Sequence, residues 1–120
     1  LFGSKNRRCF RRFEIRLQMA AIMYVDFPQE GLFGDEMSKA FEDLAKSINQ
    51  EPGMIWKIWT ENKQTKEAGG VYLFDNKENA EKYLKMHGER LAKNGYSNIR
   101  GKIFDINMPL SMINKADFLK

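Results

Sequence analysis

Apolar and polar positions follow strand-like and helix-like spacings in turn along residues 19–120. The segment Ala21–Phe27 is rich in β-favouring residues and stops at Pro28, which predicts a first strand. Residues Asp35–Gln50 then carry apolar side chains at steps of three and four, which predicts a helix before the Pro52-Gly53 break. The apolar face of this helix consists of Met37, Phe41, Leu44, Ala45 and Ile48.

The second half of the chain continues with two strands and another helix. Met54–Glu61 and Ala68–Phe74 predict two strands joined by a polar hairpin loop. Asp75 and Glu78 have the spacing of a capping box, which predicts the start of the second helix, and Asn94-Gly95 predicts its end. The inner face of this helix holds Ala80, Tyr83, Leu84, His87 and Leu91.

The order of these elements predicts the fold class. Ile99–Ile106 predicts a fourth strand, and Pro109 begins a short C-terminal segment. Two β-α-β halves in this order are typical of a ferredoxin-like βαββαβ sandwich, an α+β fold with both helices on one face of an antiparallel sheet. We therefore expect residues 19–120 to form one domain.

The sheet face away from the helices predicts a dimer. A strand covered on one side only should alternate apolar and polar residues, but Val71–Phe74 and Ile22–Val25 do not. Counting strand positions places Trp59 and Phe104 on this second face. Since small domains rarely leave so much apolar surface in water, we expect a homodimer with both aromatic residues in its interface. The alternative is that the C-terminal segment folds back over the face.

Positive charge is concentrated in residues 1–18. This segment has six of the 20 basic residues and one of the 16 acidic residues, which leaves residues 19–120 with a net charge of −1. Two origins stay open for it: a non-native or upstream segment before a natural start at Met19, or a native basic arm that orders on an acidic partner. No apolar core follows the charges, which argues against a secretory signal. The near-neutral domain argues against nucleic acid as a partner.

Cysteine and histidine content limits the chemistry. Cys9 is the only cysteine and His87 the only histidine, so we expect neither a disulfide in the domain nor a metal site. No apolar run approaches the roughly 20 residues needed to cross a bilayer, so a membrane partner is not expected. A reducing, cytoplasmic setting fits this composition.

Three segments resemble the YdhR-type monooxygenase family. They are SINQEPGMIWKIWTE (Ser47–Glu61), EAGGVYLFDN (Glu67–Asn76) and KIFDINMPLSMIN (Lys102–Asn114). The resemblance extends over residues 19–120. It implies a dimeric α/β barrel related to small monooxygenases that oxidise aromatic compounds without metal, flavin or another cofactor, and it supplies no substrate.

Such chemistry needs an apolar, aromatic cavity and one base or hydrogen-bonding group of suitable pKa. His87 is the first catalytic candidate, because an unperturbed imidazole titrates near about pH 6.5. Tyr72 is the second, since its hydroxyl can hydrogen-bond a substrate oxygen. Two other interpretations of His87 stay open, a core histidine bonded to a backbone carbonyl and a haem ligand. Haem-degrading relatives pair the histidine with a first-strand asparagine, where this chain has Tyr24 and Asp26.

Five further residues are predicted to bind the substrate. Trp56 shares strand parity with Met54 and Ile58, so we expect it to face the helices and form a wall for a flat ring, or to fill the core. Gly69-Gly70 allows another group to approach the third strand closely, which fits either a ligand or a bulge. The remaining predicted substrate contacts are Tyr24, Phe41, Asn49 and Tyr83.

Two functions follow as hypotheses. The first is a cofactor-independent monooxygenase that acts on a small aromatic or quinol-like compound between helices and sheet. The alternative is a non-enzymatic dimer that binds a small hydrophobic ligand in the same cavity.

Overall fold

A computed structural model describes residues 19–119, so the predictions made for residues 1–18 lie outside the described part of the chain. Within that part the chain forms four strands, four α-helices and a final 3₁₀ turn. In chain order they are β1 (Ala21–Pro28), α1 (Gly34–Ala40), α2 (Glu42–Ile48), β2 (Met54–Asn62), β3 (Glu67–Phe74), α3 (Lys77–Lys93), β4 (Arg100–Asp105), α4 (Met108–Ile113) and the 3₁₀ turn (Asp117–Leu119).

The four strands form one antiparallel sheet in the order β2-β3-β1-β4. The two central strands, β3 and β1, come from different halves of the chain. Helices α1, α2 and α3 cover one face of the sheet. The main core lies between that face and the helices, where Met23 of β1 packs with Ile48 of α2 and Ala80 of α3. This architecture confirms the predicted α+β ferredoxin-like fold.

The first predicted helix is divided in two at Phe41. The backbone angles of Phe41, φ −108° and ψ 11°, lie outside the helical region. The Phe41 amide still donates to the Met37 carbonyl at 3.0 Å, and the Ala45 amide donates to the Phe41 carbonyl at 2.8 Å. Because these bonds preserve the rotation of the chain, the apolar spacing continues across the break and does not reveal it.

The predicted start of α3 is shifted by one residue. Asn76, not Asp75, is the N-cap, and its side chain accepts a hydrogen bond from the Asn79 amide at 2.8 Å. The Asp75 carboxylate instead accepts from the Asn79 side chain at 2.9 Å. The predicted end is confirmed: Gly95 has φ +90°, a conformation in which glycine is favoured after a helix.

Strand β2 contains an extra residue that reverses the predicted orientation of its tryptophans. Met54 lies opposite Phe74 and Trp56 lies opposite Leu73, so Ile55 has no partner of its own on β3. Beyond this bulge the side chains change faces. The prediction that Trp56 faces the helices is therefore wrong, and so is the prediction that Trp59 lies on the opposite face.

The sheet face away from the helices, called here the outer face, is covered at one end by the chain itself. Leu119 and partly buried residues of the C-terminal segment pack there against Leu73 and Trp56. This confirms the fold-back alternative for that end of the face. Phe104 lies on the outer face as predicted. Phe104 is 52% exposed there, and Ile58 on the same face is 54% exposed. None of the helices in residues 19–119 has the length and apolar character required to cross a membrane.

Candidate functional site

Five side chains with polar tips meet between the sheet and α3. We call them the basic cluster: Lys57 of β2, Tyr72 of β3, and Tyr83, His87 and Arg90 of α3. The three α3 residues are four and three positions apart, which places them on one side of the helix.

Lys57 turns inward because of the β2 bulge and lies against two aromatic rings. Its Nζ is 3.3 Å from the centroid of the Trp59 ring and 4.6 Å from that of Tyr72. Burial, and secondarily the charge of Arg90, lowers the pKa of Lys57 to about 7. The ring faces oppose this shift, because they attract the charged amine. Lys57 can therefore exchange a proton near neutral pH.

Gly70 provides the space that Lys57 occupies. A Cβ atom at position 70 would lie 2.7 Å from Lys57 Cε, which is closer than two carbon atoms can approach. A close approach to the Gly69-Gly70 pair is thus confirmed, but it involves two groups of the chain itself, and the strand pairing is regular at these residues. The side chain of Lys57 approaches Gly70, and the backbone of Val25 approaches Gly69.

His87 is buried, with 3% of its surface exposed, and it is neutral at physiological pH. Burial, then the charges of Arg90 and Lys57, lowers its pKa to about 3. The expectation that His87 titrates near neutral pH is therefore wrong. Its Nδ1 lies 2.8 Å from an Arg90 Nη atom. Since a guanidinium can only donate, Nδ1 accepts this bond and the imidazole proton resides on Nε2. The burial of His87 confirms the interpretation of it as a core histidine, but its bonding partner is the Arg90 side chain and not a backbone carbonyl.

Tyr72 and Tyr83 supply protonated hydroxyl groups. Their oxygen atoms are 3.4 Å apart and their ring centroids 5.1 Å apart. Burial raises the pKa of both phenols, most strongly that of Tyr72. Both groups therefore serve as hydrogen-bond donors or acceptors and do not ionise at neutral pH.

Arg90 brings a second cation to the cluster. One Nη atom contacts His87 Nδ1 and lies 3.5 Å from the Tyr83 hydroxyl, while Nε is buried and has no hydrogen-bond partner. Within residues 19–119, no Asp or Glu forms an ion pair with Arg90 or Lys57. The cluster consequently has positive charge that no carboxylate of the described residues balances through a direct ion pair.

Two spaces share Phe41 and Trp59 as walls, and the smaller of them is lined by residues of the cluster. The inner cavity, about 20 Å³, is lined by Lys57, Tyr72 and His87 together with mostly apolar residues, and it has room for about one water-sized group. The side groove, about 320 Å³, lies between α1–α2 and β2. The rings of Phe41 and Trp59 are stacked at 6.1 Å with 14° between their planes. The other residues that line the side groove are Met37, Ser38, Glu42, Ala45 and Glu61.

The structure brings together some of the residues predicted for the site. Phe41, Tyr72, Tyr83 and His87 meet at or beside the two spaces. The other predicted contacts lie elsewhere: Tyr24 and Trp56 point to the outer face, and Asn49 is an exposed residue at the end of α2.

Sequence reasoning missed Lys57 and Arg90 and placed Trp59 on the wrong face. Arg90 could have been found, because it follows His87 by three positions and Tyr83 by seven on the same side of a helix. Lys57 gave no such signal, since its inward orientation depends on the bulge.

The comparison with protein families agrees with this fold. Residues 22–117 match the sequence model of the family described as "Putative mono-oxygenase ydhR". The chain belongs to this family. No individually curated protein matches it significantly. In this ydhR-family chain, residues 19–119 contain no group of three or more His, Cys, Asp or Glu residues arranged to hold a metal ion.

Proposed function

We propose that this ydhR-family chain is a cofactor-independent monooxygenase that oxidises a small aromatic or quinol-like compound. The substrate ring lies in the side groove against Phe41 and Trp59, and its hydroxyl enters the inner cavity beside Lys57. One observation carries the proposal: an amine able to accept a proton near pH 7 lines a small cavity that shares its aromatic walls, Phe41 and Trp59, with the side groove. The volume of the groove, about 320 Å³, is at the lower end of the range for small-molecule sites.

The chemistry needs one proton acceptor. The neutral Lys57 amine takes the hydroxyl proton, which makes the ring electron-rich enough to pass electrons to O₂. A new C–O bond forms at a ring carbon that bears hydrogen, and loss of water from the resulting hydroperoxide leaves a carbonyl. One oxygen atom ends in the product and the other in water. The substrate supplies all the electrons, so the reaction requires no separate reductant.

The other cluster residues assist this step. Tyr72 remains protonated and can donate a hydrogen bond to the substrate oxygen, which keeps the predicted catalytic role for its hydroxyl. His87 has a different role from the predicted base, because its pKa of about 3 makes it a poor proton acceptor at neutral pH. We propose that it orients Arg90 through the 2.8 Å hydrogen bond.

We also propose that the chain forms a homodimer through the uncovered part of the outer face. Ile58 and Phe104 are both more than half exposed there, and Tyr24 lies on the same face. A second copy packed on this surface would remove these apolar side chains from water. Trp59 is not part of this proposed interface, because it lies on the helix side of the sheet.

Oxygen consumption tests the proposed reaction. The purified full-length chain should consume O₂ with at least one member of a panel of phenols and hydroquinones. Lys57→Met should reduce the rate about 100-fold or more, the usual contribution of a general base. Lys63→Met, at an exposed position in the β2–β3 loop, is the matched control and should retain the wild-type rate. A panel that produces no oxygen consumption would refute the proposal. Thermal stabilisation by compounds that are never converted would instead support the non-enzymatic ligand-binding alternative.

A further inference from the structure

The basic cluster holds two cationic side chains, Lys57 and Arg90, that no direct ion pair in residues 19–119 balances. The proposed reaction needs only one of them, Lys57, as the proton acceptor. Lys57 and Arg90 influence each other directly, since the charge of Arg90 contributes to lowering the pKa of Lys57. Within the described residues neither has a carboxylate in ion-pair distance. The negative charge of Glu51 reaches the cluster without a direct ion pair, since it contributes to raising the pKa of Tyr83. Like charges held together away from water are unfavourable unless one of them loses its proton, as Lys57 can near pH 7, or an opposite charge joins them.

The polar groups facing Lys57 and Arg90 also lack a negative charge. His87 is neutral, and the Tyr72 and Tyr83 hydroxyls stay protonated because burial raises the pKa of both. The Nε of Arg90 is buried with no acceptor. Arg90 does not line the inner cavity, so it contributes positive charge near that space and Lys57 provides the direct contact.

The size of the inner cavity determines which negative group fits. Lys57, Tyr72 and His87 line a space of about 20 Å³, which is enough for one oxygen-sized group but small for a carboxylate with two oxygen atoms. The adjoining side groove, with its Phe41–Trp59 stack, can hold a flat ring outside that space.

We infer that the basic cluster is an oxyanion-binding site that takes the single ionised oxygen of a hydroxyarene. The oxygen contacts the Lys57 ammonium in the inner cavity, and the nearby Arg90 guanidinium adds positive charge. This inference rests on the proposed function for the ring class and extends it by specifying that the bound form is an anion. Binding then transfers the hydroxyl proton to Lys57, so a neutral phenol from solution is held as a phenolate–ammonium pair.

Three related nitroarenes test the inference on the full-length chain without any turnover. 4-Nitrophenol changes its absorption spectrum when it ionises, 4-nitroanisole is a neutral analogue, and 4-nitrobenzoate has a two-oxygen anion. At a pH below the pKa of free 4-nitrophenol, the bound probe should have the spectrum of its ionised form. It should also bind more tightly than either of the other two compounds.

Substitutions assign this signal to the cluster. Lys57→Met should restore the neutral spectrum and weaken 4-nitrophenol binding about tenfold or more, as expected when a close charge partner is lost. Arg90→Gln should weaken it in the same direction, which gives a second test if one variant fails to fold by circular dichroism. Lys63→Met is the control and should change neither the spectrum nor the affinity. A neutral spectrum in the wild type, or equal binding of 4-nitroanisole or 4-nitrobenzoate, would overturn the inference.

The outcomes also separate this inference from the proposed reaction. A chain that binds 4-nitrophenol as its anion but consumes no oxygen with any phenol keeps the anion site and loses the monooxygenase. A chain that oxidises phenols but binds 4-nitrophenol in its neutral form keeps the reaction and loses the anion site.

Discussion

Lys57 and Trp59 are two residues apart on β2, and the Lys57 amine lies 3.3 Å from the centroid of the Trp59 ring. Residues two positions apart on a strand point to the same face, so the amine and the aromatic wall enter the site together. Counting strand positions without the bulge placed Trp59 on the wrong face, and Lys57 shares its parity. The structure therefore joins the proposed proton acceptor and the proposed substrate wall in a single strand segment.

The first prediction concerns the pH dependence of turnover. Because only the neutral amine accepts a proton, kcat/KM should rise with pH and level off above the Lys57 pKa of about 7. This rising limb of the pH–rate profile should be absent from the residual activity of Lys57→Met and should remain in Lys63→Met. Initial rates measured across pH with one substrate check it. An unchanged limb in Lys57→Met would assign the titration to another group.

The second prediction concerns the space at Gly70. In Gly70→Ala the new methyl group would displace the Lys57 side chain, whose Cε lies 2.7 Å from the added atom. If the amine moves toward water, its pKa rises toward the ordinary value of 10.5, and the activity limb moves to higher pH.

Gly88→Ala provides the matched control for that substitution. Gly88 lies inside α3, and a Cβ there would meet no atom within 4 Å. This variant should leave the pH limb unchanged and stabilise the fold by about 0.5–1 kcal/mol, since alanine is the better helix former. A Gly70→Ala variant with the wild-type limb would indicate that Lys57 does not depend on this space.

The third prediction concerns acid stability. The pKa of His87 is about 3 in the folded chain and 6.5 in the reference state, so the unfolded chain binds more protons between these values. Stability attributable to His87 is therefore present above about pH 6.5 and is lost as the pH falls toward 3. Its total is on the order of a few kcal/mol.

His87→Gln isolates this contribution, because glutamine does not titrate. Urea unfolding of both proteins at a series of pH values should show a shallower loss of unfolding free energy in the variant below pH 6.5. A constant difference between the two curves across that range would contradict the prediction. Above pH 6.5, the difference in unfolding free energy between the two proteins sets the baseline and includes any loss of packing in the variant.

The fourth prediction concerns assembly. Light scattering on the full-length chain should give a mass twice that of the 14.1 kDa monomer. Ile58→Lys and Phe104→Lys should each shift the equilibrium toward monomer, because each places a charge on the uncovered outer face. Glu81→Lys, exposed on α3 on the opposite side of the sheet, should leave the mass unchanged. A monomer mass for the wild-type chain at micromolar concentration would refute the proposed dimer.

Periodicity predicted the elements of this fold because it records which side of a helix or strand is buried. Tyr83 and His87 were correctly placed together for this reason, as both lie on the inner side of α3. The break at Phe41 stayed hidden, since its hydrogen bonds keep the helical spacing. The site was less predictable. The low pKa of His87 depends on burial and then on the charges of Arg90 and Lys57, and the inward turn of Lys57 requires a bulge that the sequence spacing does not show.

The extra residue at Ile55 changes the faces of β2 partway along the strand, while the pairing with β3 stays continuous on both sides of it. Met54 and Trp56 lie opposite neighbouring residues of β3, so a chain without Ile55 would keep the other pairs and still turn Lys57 and Trp59 inward. Two chains of this family that differ by one residue here would therefore present the same groups to the cavity. Their strands correspond by pairing partner and not by residue count.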